Sequence, residues 1–400
     1  LDADLAGATK TGVFQKAYPD RFIDCGIAEA NMMCIAAGLA TCGKIPFASS
    51  FAMFAAGRAY EQVRNSIGYP KLNVKIGASH AGVTVGEDGA SHQCNEDIAL
   101  MRSIPGMMVV NPSDAVEAAA ATKAVMEFDG PVYLRFGRAP VPVINDYADY
   151  KFELGKGVVL KEGTDVTIVA TGILVSAALE AAEMLAKEGV SAEVINIHTI
   201  KPLDEEVVLA SAKKTGKVVT AEEHSVIGGL GSAVCECLSE KYPVPVKRIG
   251  VYDEFGESGS AAALIEKYGF DGKGVYASVK EFLNKYNIQF PTQRYSEDNA
   301  FIGCCLLTAS RFGHLKKPLY YYRAEKDSLS NKINENKYNE LAMKLGLKMI
   351  HVNDIDLQKV KEPYVDKKLY NTWCVETFIY EILSETAFNI GTHEKLEFGR

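Results

Sequence analysis

Asn73-Val74-Lys75-Ile76-Gly77-Ala78 runs directly into Ser79-His80-Ala81-Gly82-Val83-Thr84-Val85-Gly86-Glu87-Asp88-Gly89-Ala90-Ser91-His92-Gln93. The first run reads as a short strand, and the second reads as a long loop leaving its end. Loops of this length within a domain are usually functional or disordered, and two histidines, two acids and several small residues favour function. Outward from this unit, strand candidates Met107 to Val110 and Pro131 to Phe136 alternate with helical patterns at Glu29 to Cys42, Phe51 to Ile67 and Ser113 to Phe128. The last of these starts well, with Ser113 and Asp114 after Pro112. Ala139 to Gly155 is polar and proline-bearing and reads as a linker. Beyond it the pattern resumes, with strands at Asp165 to Ala170, Ala192 to Ile197, Lys217 to Thr220 and Val246 to Gly250. Such alternation predicts an α/β chain with two mainly parallel sheets covered by helices.

The 400 residues leave room for more than one domain, and 48% apolar composition allows sizeable cores. The expected organisation is a first α/β domain over 1–145, a second over 155–287, and a mostly helical tail over 288–400. The tail differs in composition: only five of the 34 glycines fall within it, together with the single tryptophan, Trp373. Leu1-Asp2-Ala3-Asp4 lacks the basic and apolar parts of a signal peptide, and no long uncharged apolar run addresses the chain to a membrane. Because the sequence opens without methionine, in what reads as a strand end entering a loop, its N-terminus is taken as incomplete. A formal charge of −8 without a basic run argues against general nucleic-acid binding. Nine scattered cysteines show neither zinc nor disulfide spacing, which fits a reducing cytoplasm and predicts no metal ligands in this chain.

Three segments combine glycine with polar residues near expected strand ends. In Gly26-Ile27-Ala28-Glu29-Ala30-Asn31 an acid opens the otherwise apolar helix Met32 to Ala40. Glu29 is either a first-turn acid complementing the helix dipole or a partly buried carboxyl able to share a proton with a ligand nitrogen. His80 and His92 are each a structural histidine or a site residue, and their presence on one glycine-rich loop favours the latter. In Tyr133-Leu134-Arg135-Phe136-Gly137-Arg138, Arg138 follows a strand end, where ligands of open parallel sheets bind. Either arginine could instead serve a surface ion pair. Phe51 and Phe54, three apart, read as core aromatics on one helix face.

Gly26-Ile27-Ala28-Glu29, Ser50-Phe51-Ala52-Met53-Phe54, Gly86 to Gln93 and Arg102-Ser103-Ile104-Pro105-Gly106-Met107 together resemble, in order and spacing, the transketolase family, specifically the C-terminal subunit of its split form. In the second domain Glu222 to Gly231 and Phe255-Gly256-Glu257-Ser258-Gly259 continue the resemblance. It implies a pyrimidine-binding domain followed by the transketolase C-terminal domain. It further implies thiamine diphosphate as cofactor, with Glu29 hydrogen-bonded to the aminopyrimidine nitrogen and favouring the imino tautomer that removes the thiazolium C2 proton. Phe51 and Phe54 would wall the pyrimidine, and Asp4 would lie near the cofactor. Asp88 and His92 would bind donor-sugar hydroxyls, His92 taking part in the catalysis, and His80 with Arg138 would meet the sugar phosphate. The implied activity is transfer of a two-carbon ketol unit between sugar phosphates. Deoxyxylulose-phosphate synthase and 2-oxo acid dehydrogenase beta subunits are the alternatives within the same cofactor class.

This sequence departs from the family pattern at Ala8, where a serine is common, and at Gly57, where a tyrosine is common. No Gly-Asp-Gly motif followed by Asn is present, so the diphosphate and its magnesium must find their ligands on an N-terminal partner subunit, in a dimer of heterodimers. Gly228 to Gly231 is a weak nucleotide signal and is read as structural, as are Cys235 and Cys237. In the tail, Glu297-Asp298-Asn299-Ala300-Phe301 and Pro318-Leu319-Tyr320-Tyr321-Tyr322-Arg323 resemble the C-terminal part of family-2 glycosyltransferases. That resemblance implies Asp298 as base for an acceptor hydroxyl. The sugar-nucleotide half that should precede it is absent, so the tail is expected to be a fragment without activity of its own. A glycosyltransferase fragment or a non-catalytic interaction module is the reading from a different functional class.

Overall fold

β-Branched and apolar residues form ten strands among residues 1–146 and 150–286, which the structure, a computed structural model, describes. They are β1 (Phe47–Phe51), β2 (Lys75–Ser79), β3 (Met108–Val110), β4 (Val132–Arg135), β5 (Val158–Lys161), β6 (Val166–Ala170), β7 (Ala192–Asn196), β8 (Thr199–Lys201), β9 (Val218–Ser225) and β10 (Val246–Val251). Two sheets result, in the orders β1-β2-β4-β3-β8 and β10-β9-β6-β7-β5. Within each, neighbours are parallel except at one edge, where β8 runs antiparallel to β3 and β5 antiparallel to β7. The fold is therefore α/β with two mostly parallel sheets. β8 lies beyond the linker in sequence yet completes the first sheet, and Leu1–Asn284 forms one compact unit.

The longer helices are α1 (Glu29–Thr41), α2 (Asp97–Arg102), α3 (Ala115–Glu127), α4 (Leu174–Lys187), α5 (Glu205–Thr215), α6 (Leu230–Lys241), α7 (Ala261–Tyr268) and α8 (Gly272–Tyr286). None of the described helices is long and apolar enough to cross a membrane. Met32, Met33 and Ala36 of α1 join Ala48, Ile76, Val109 and Tyr133 of the sheet in one buried core. Full burial of a Met, Ile or Val side chain is worth roughly 1.5–3 kcal/mol. At the start of α3, Asp114 accepts the Glu117 N–H at 2.9 Å. Its other oxygen takes the N–H groups of Ile144 and Asn145 at 2.8 and 2.9 Å, tying the linker to the helix. Glu117 in turn accepts from Ser113 N at 2.6 Å and from Asn196 of β7 at 2.8 Å, bonding the first sheet's helix layer to the second sheet.

Several expectations are corrected. The helix expected from Phe51 begins later, because Phe47–Phe51 pairs with β2 as an edge strand. The helical stretch after it is irregular, with wide π turns at Met53–Arg58 and Val63–Gly68 around a single α turn at Tyr60–Gln62. Phe51 and Phe54 therefore sit across a strand end and a helix start rather than on one helix face. The loop after β2 contains a tight helical turn at Val83–Asp88, broken at Gly86, where φ is +88°. Strand β9 runs to Ser225, well past the expected end at Thr220. The tail over 288–400, Asp298 included, lies outside the described residues.

Candidate active site

Strands β1, β2 and β4 are adjacent and parallel, so the segments leaving Phe51, Ser79 and Arg135 emerge side by side at one edge of the sheet. This is where an open parallel sheet offers a crevice. Glu29 opens α1 and is only 2% exposed, and its Oε2 accepts from Arg58 Nη1 at 3.0 Å. Oε1 takes no hydrogen bond from any described residue. Arg58 is itself half exposed and lies over the Phe54 ring at 4.5 Å, so one guanidinium touches both the acid and the aromatic wall. The sequence reading missed this residue. Its signal was available: on a helical stretch Arg58 lies one turn after Phe54, the spacing at which side chains meet.

Phe51 stacks on His80 at 3.9 Å between centroids and on Phe54 at 5.9 Å. The His92 ring meets Phe54 edge-on at 5.4 Å. Glu29, Arg58, Phe54, Phe51, His80 and His92 thus form one continuous contact set. His80 holds a left-handed backbone, φ +58°, which is uncommon for a residue with a side chain and keeps its ring over Phe51. Burial, helped by the charge of Arg138, pushes its imidazole below the usual histidine range. His80 is therefore a neutral hydrogen-bonding ring near pH 7.

Arg138 stands slightly apart. Its guanidinium donates to the Val85 carbonyl and pairs with Glu87 at 3.4 Å and Asp88 at 3.9 Å, all on the loop after β2. Both Arg138 and Asp88 are over 40% exposed, so their pairing is weak and open to exchange for another anion. Arg135 differs from the expected surface partner: it is buried, and its Nε donates to Asp97 at 2.8 Å. Asp4 is exposed, and its N–H reaches Asp24 Oδ1 at 3.2 Å, the same atom that takes the Gly26 N–H at 2.9 Å. That link brings the Asp4 loop beside the start of α1, but no hydrogen bond, ion pair or ring contact joins Asp4 to Glu29 or the aromatic set. Asp2, by contrast, is fully buried and holds Leu5 N, Thr9 and Thr11 at 2.6 to 2.8 Å as a purely local cap.

The second sheet contributes Glu222-Glu223-His224 at the end of β9, all buried. Glu222 accepts the N–H groups of Leu230 and Gly231 at 2.6 and 2.7 Å. A side chain at Gly229 would place its Cβ 2.1 Å from that carboxyl. The glycine cluster is accordingly a helix start plugged by the protein's own acid, in agreement with its structural reading. A cavity of about 300 Å³ lies elsewhere, lined by Arg102, Lys201, Glu236 and Cys237 among others, and shares no residue with the contact set.

Comparison with known proteins matches residues 1–143 to the transketolase pyrimidine-binding domain and residues 155–275 to the transketolase C-terminal domain. The putative transketolase C-terminal section of Methanocaldococcus jannaschii is 50% identical over 287 residues, spanning 71% of this chain and 90% of that protein. The 6-deoxy-6-sulfo-D-fructose transketolase subunit of Clostridium sp. is likewise 50% identical, spanning 72% of this chain and 89% of that one. Among solved structures, a split-gene transketolase described as an inactive beta4 tetramer superposes with a TM-score of 0.66 at 57% identity, over 71% of this chain and 91% of that chain. A carboxyl-bearing helix start, an aromatic wall and a glycine-rich loop at adjacent strand ends, together with these matches, place the chain in the transketolase family.

Proposed function

We propose that this chain is the pyrimidine-side subunit of a split transketolase, transferring a two-carbon ketol unit between sugar phosphates with thiamine diphosphate. The observation that carries the reading is the uncommitted carboxyl of Glu29. The other buried acids of the first sheet region are each bonded to two or more groups of the fold: Asp2, Asp97, Asp114 and Glu117. Glu29 has only the half-exposed Arg58, and its second oxygen is available to a ligand nitrogen. A buried carboxyl linked through Arg58 to a pair of stacked aromatic rings fits an aminopyrimidine.

Bound thiamine diphosphate would supply an acidic thiazolium carbon that serves as the nucleophile toward a ketose carbonyl. Glu29 would hold the proton shared with the pyrimidine nitrogen, and Phe51 with Phe54 would fix the ring plane and exclude water. Asp4 would close the site from its loop beside Gly26. His92 and Asp88 would orient donor hydroxyls, while neutral His80 and exposed Arg138 would receive the anionic end of the sugar. The diphosphate and magnesium would be held by an N-terminal partner in a dimer of heterodimers. Ile27, apolar and 76% exposed two residues before Glu29, supports a partner covering this edge. The six free cysteines among the described residues support a cytoplasmic setting.

The test is Glu29→Gln in the complex with the partner. Proton exchange at the cofactor C2, followed by NMR, should slow by a factor on the order of a hundred, as expected for loss of one well-placed acid or base. Wild-type exchange in this variant would transfer the role to another residue.

A further inference from the structure

We propose that Glu223, contributed by the second sheet, is a positioning residue for the loop that carries His80, Asp88 and His92. The inference deepens the transketolase reading by giving the second α/β domain a task at the site. Glu223 Oε1 accepts the Thr84 N–H at 2.7 Å, and both groups are buried. Thr84 is the second residue of the turn Val83–Asp88, so this bond fixes the start of the turn from outside the first sheet. Gly82, just before, has φ +80°, and a Cβ there would lie 2.3 Å from the Glu223 Cδ. The carboxyl therefore occupies the space that a side chain would take. On its other side it borders Gly137, the residue before Arg138: a Cβ at Gly137 would lie 4.0 Å from Glu223 Oε2. One side chain thus touches the root of the loop and the root of the arginine.

The same domain supports the far end of the loop. Gln93 Nε2 donates to Val83 O at 3.0 Å and to Glu257 O at 2.9 Å, linking the start of the turn and the end of the loop to the segment Phe255 to Gly259. A Cβ at Gly89 would lie 2.3 Å from Ser258 Oγ. Glu223 is anchored in turn, because Arg135 Nη2 of β4 donates to its carbonyl at 2.9 Å. Its Oε2 is buried without a hydrogen-bond partner among the described residues, so the hydrogen bond the carboxyl does make is the one to the loop.

The charged and titratable groups around the carboxyl are Arg135 from β4, Asp97 from α2, and Glu222 and His224 beside it on β9. Burial pushes the Glu223 carboxyl up to about 7, against the pull of Arg135. In the folded loop this acid takes up a proton below about pH 7, whereas opening the loop returns it to water and its ordinary range. Opening therefore releases a proton and becomes easier as pH rises from the ordinary carboxyl range to about 7. His80 and its lowered imidazole work in the opposite sense, so the comparison between wild type and a Glu223 variant isolates the acid.

Amide hydrogen exchange on the full chain provides the test, since it requires neither cofactor nor partner. Glu223→Ala should speed exchange of Thr84 and the following loop amides by about tenfold, the scale of one lost buried hydrogen bond to an acid, while β2 and β9 amides keep their protection. Glu223→Gln retains an acceptor and should restore protection, but the easing of loop opening as pH rises toward 7 should be lost, leaving only the opposite response of His80. In the assembled enzyme, Glu223→Ala should raise KM for the sugar phosphate more than it lowers kcat, and Glu223→Gln should rescue it. Unchanged loop exchange in Glu223→Ala would overturn the proposal. If that variant unfolds, an identical pH response in Glu223→Gln and wild type would overturn it instead. Absence of ketol transfer by the wild-type complex would refute the assigned reaction and leave the exchange result standing on its own.

Discussion

Replacing Asp97 by asparagine should be among the most damaging isosteric changes in the first sheet region. Asp97 Oδ2 accepts from Arg135 Nε and from Tyr133 OH, each at 2.8 Å, and the acid and the arginine are 0% and 3% exposed. The Arg135 guanidinium also donates to Glu223 O at 2.9 Å, so it cannot turn out to water without breaking a contact with the second sheet. In Asp97→Asn an amide oxygen can still accept one hydrogen bond, but the buried cation loses the only carboxylate hydrogen-bonded to it among the described residues. Breaking one side of a buried ion pair typically costs about 3–5 kcal/mol, a large share of a domain's stability. Arginine does not deprotonate in proteins, but the neighbouring Glu223 carboxyl titrates at about 7 and, once ionised, offsets part of the buried positive charge, so the loss should be smaller at pH 8 than at pH 6. Urea unfolding followed by far-ultraviolet circular dichroism would measure it. The double variant Asp97→Asn, Arg135→Met removes both charges and should recover part of the loss, giving a coupling that separate effects would not. A single-variant loss below about 1 kcal/mol, the range of exposed pairs, would show that water reaches the pair and that the burial argument fails.

Alanine at Asp88, His92 or Arg138 should each raise KM or lower kcat in the assembled enzyme while cofactor binding, measured by fluorescence quenching or calorimetry, persists; unchanged kinetics in all three would remove the loop from the site. Removal of residues 288–400 should leave ketol transfer intact, and Asp298→Asn should be silent. Nucleotide-sugar transfer by the full chain, lost in that variant, would restore a function to the tail.

The alternation of strand and helix was legible because β2, β4, β6, β7 and β9 are buried and rich in apolar or β-branched residues. The strands overlooked were edges. β5 is half exposed, β8 has only three residues, and β1 carries Ser49 and Ser50 where a buried strand would carry apolar residues. Local composition says little about an edge strand, whose pairing is decided by its neighbour. Glu29, Phe51, Phe54, His80 and His92 could be picked out individually and do meet in one contact set. Arg58 went unassigned because its bond to Glu29 joins residues 29 positions apart, and its spacing from Phe54 was the one local signal for it. Nor could the weight of Glu223 be foreseen, because its bond to Thr84 joins residues 139 positions apart.

The crossing of β8 into the first sheet has a consequence for how the chain can be divided. Val109 and Val110 pair with Lys201 and Thr199, so β3 has a neighbour on both sides only when sequence from beyond the linker is present. A fragment ending in the linker would expose the backbone groups of β3 as an open edge, the usual template for association between copies. The linker between the two homology regions is thus a poor place to cut or recombine this chain, even though composition marks it as the natural seam. Exchange of either half with a relative's would succeed only if the strand at Thr199–Lys201 travelled with the first sheet or fitted its new edge.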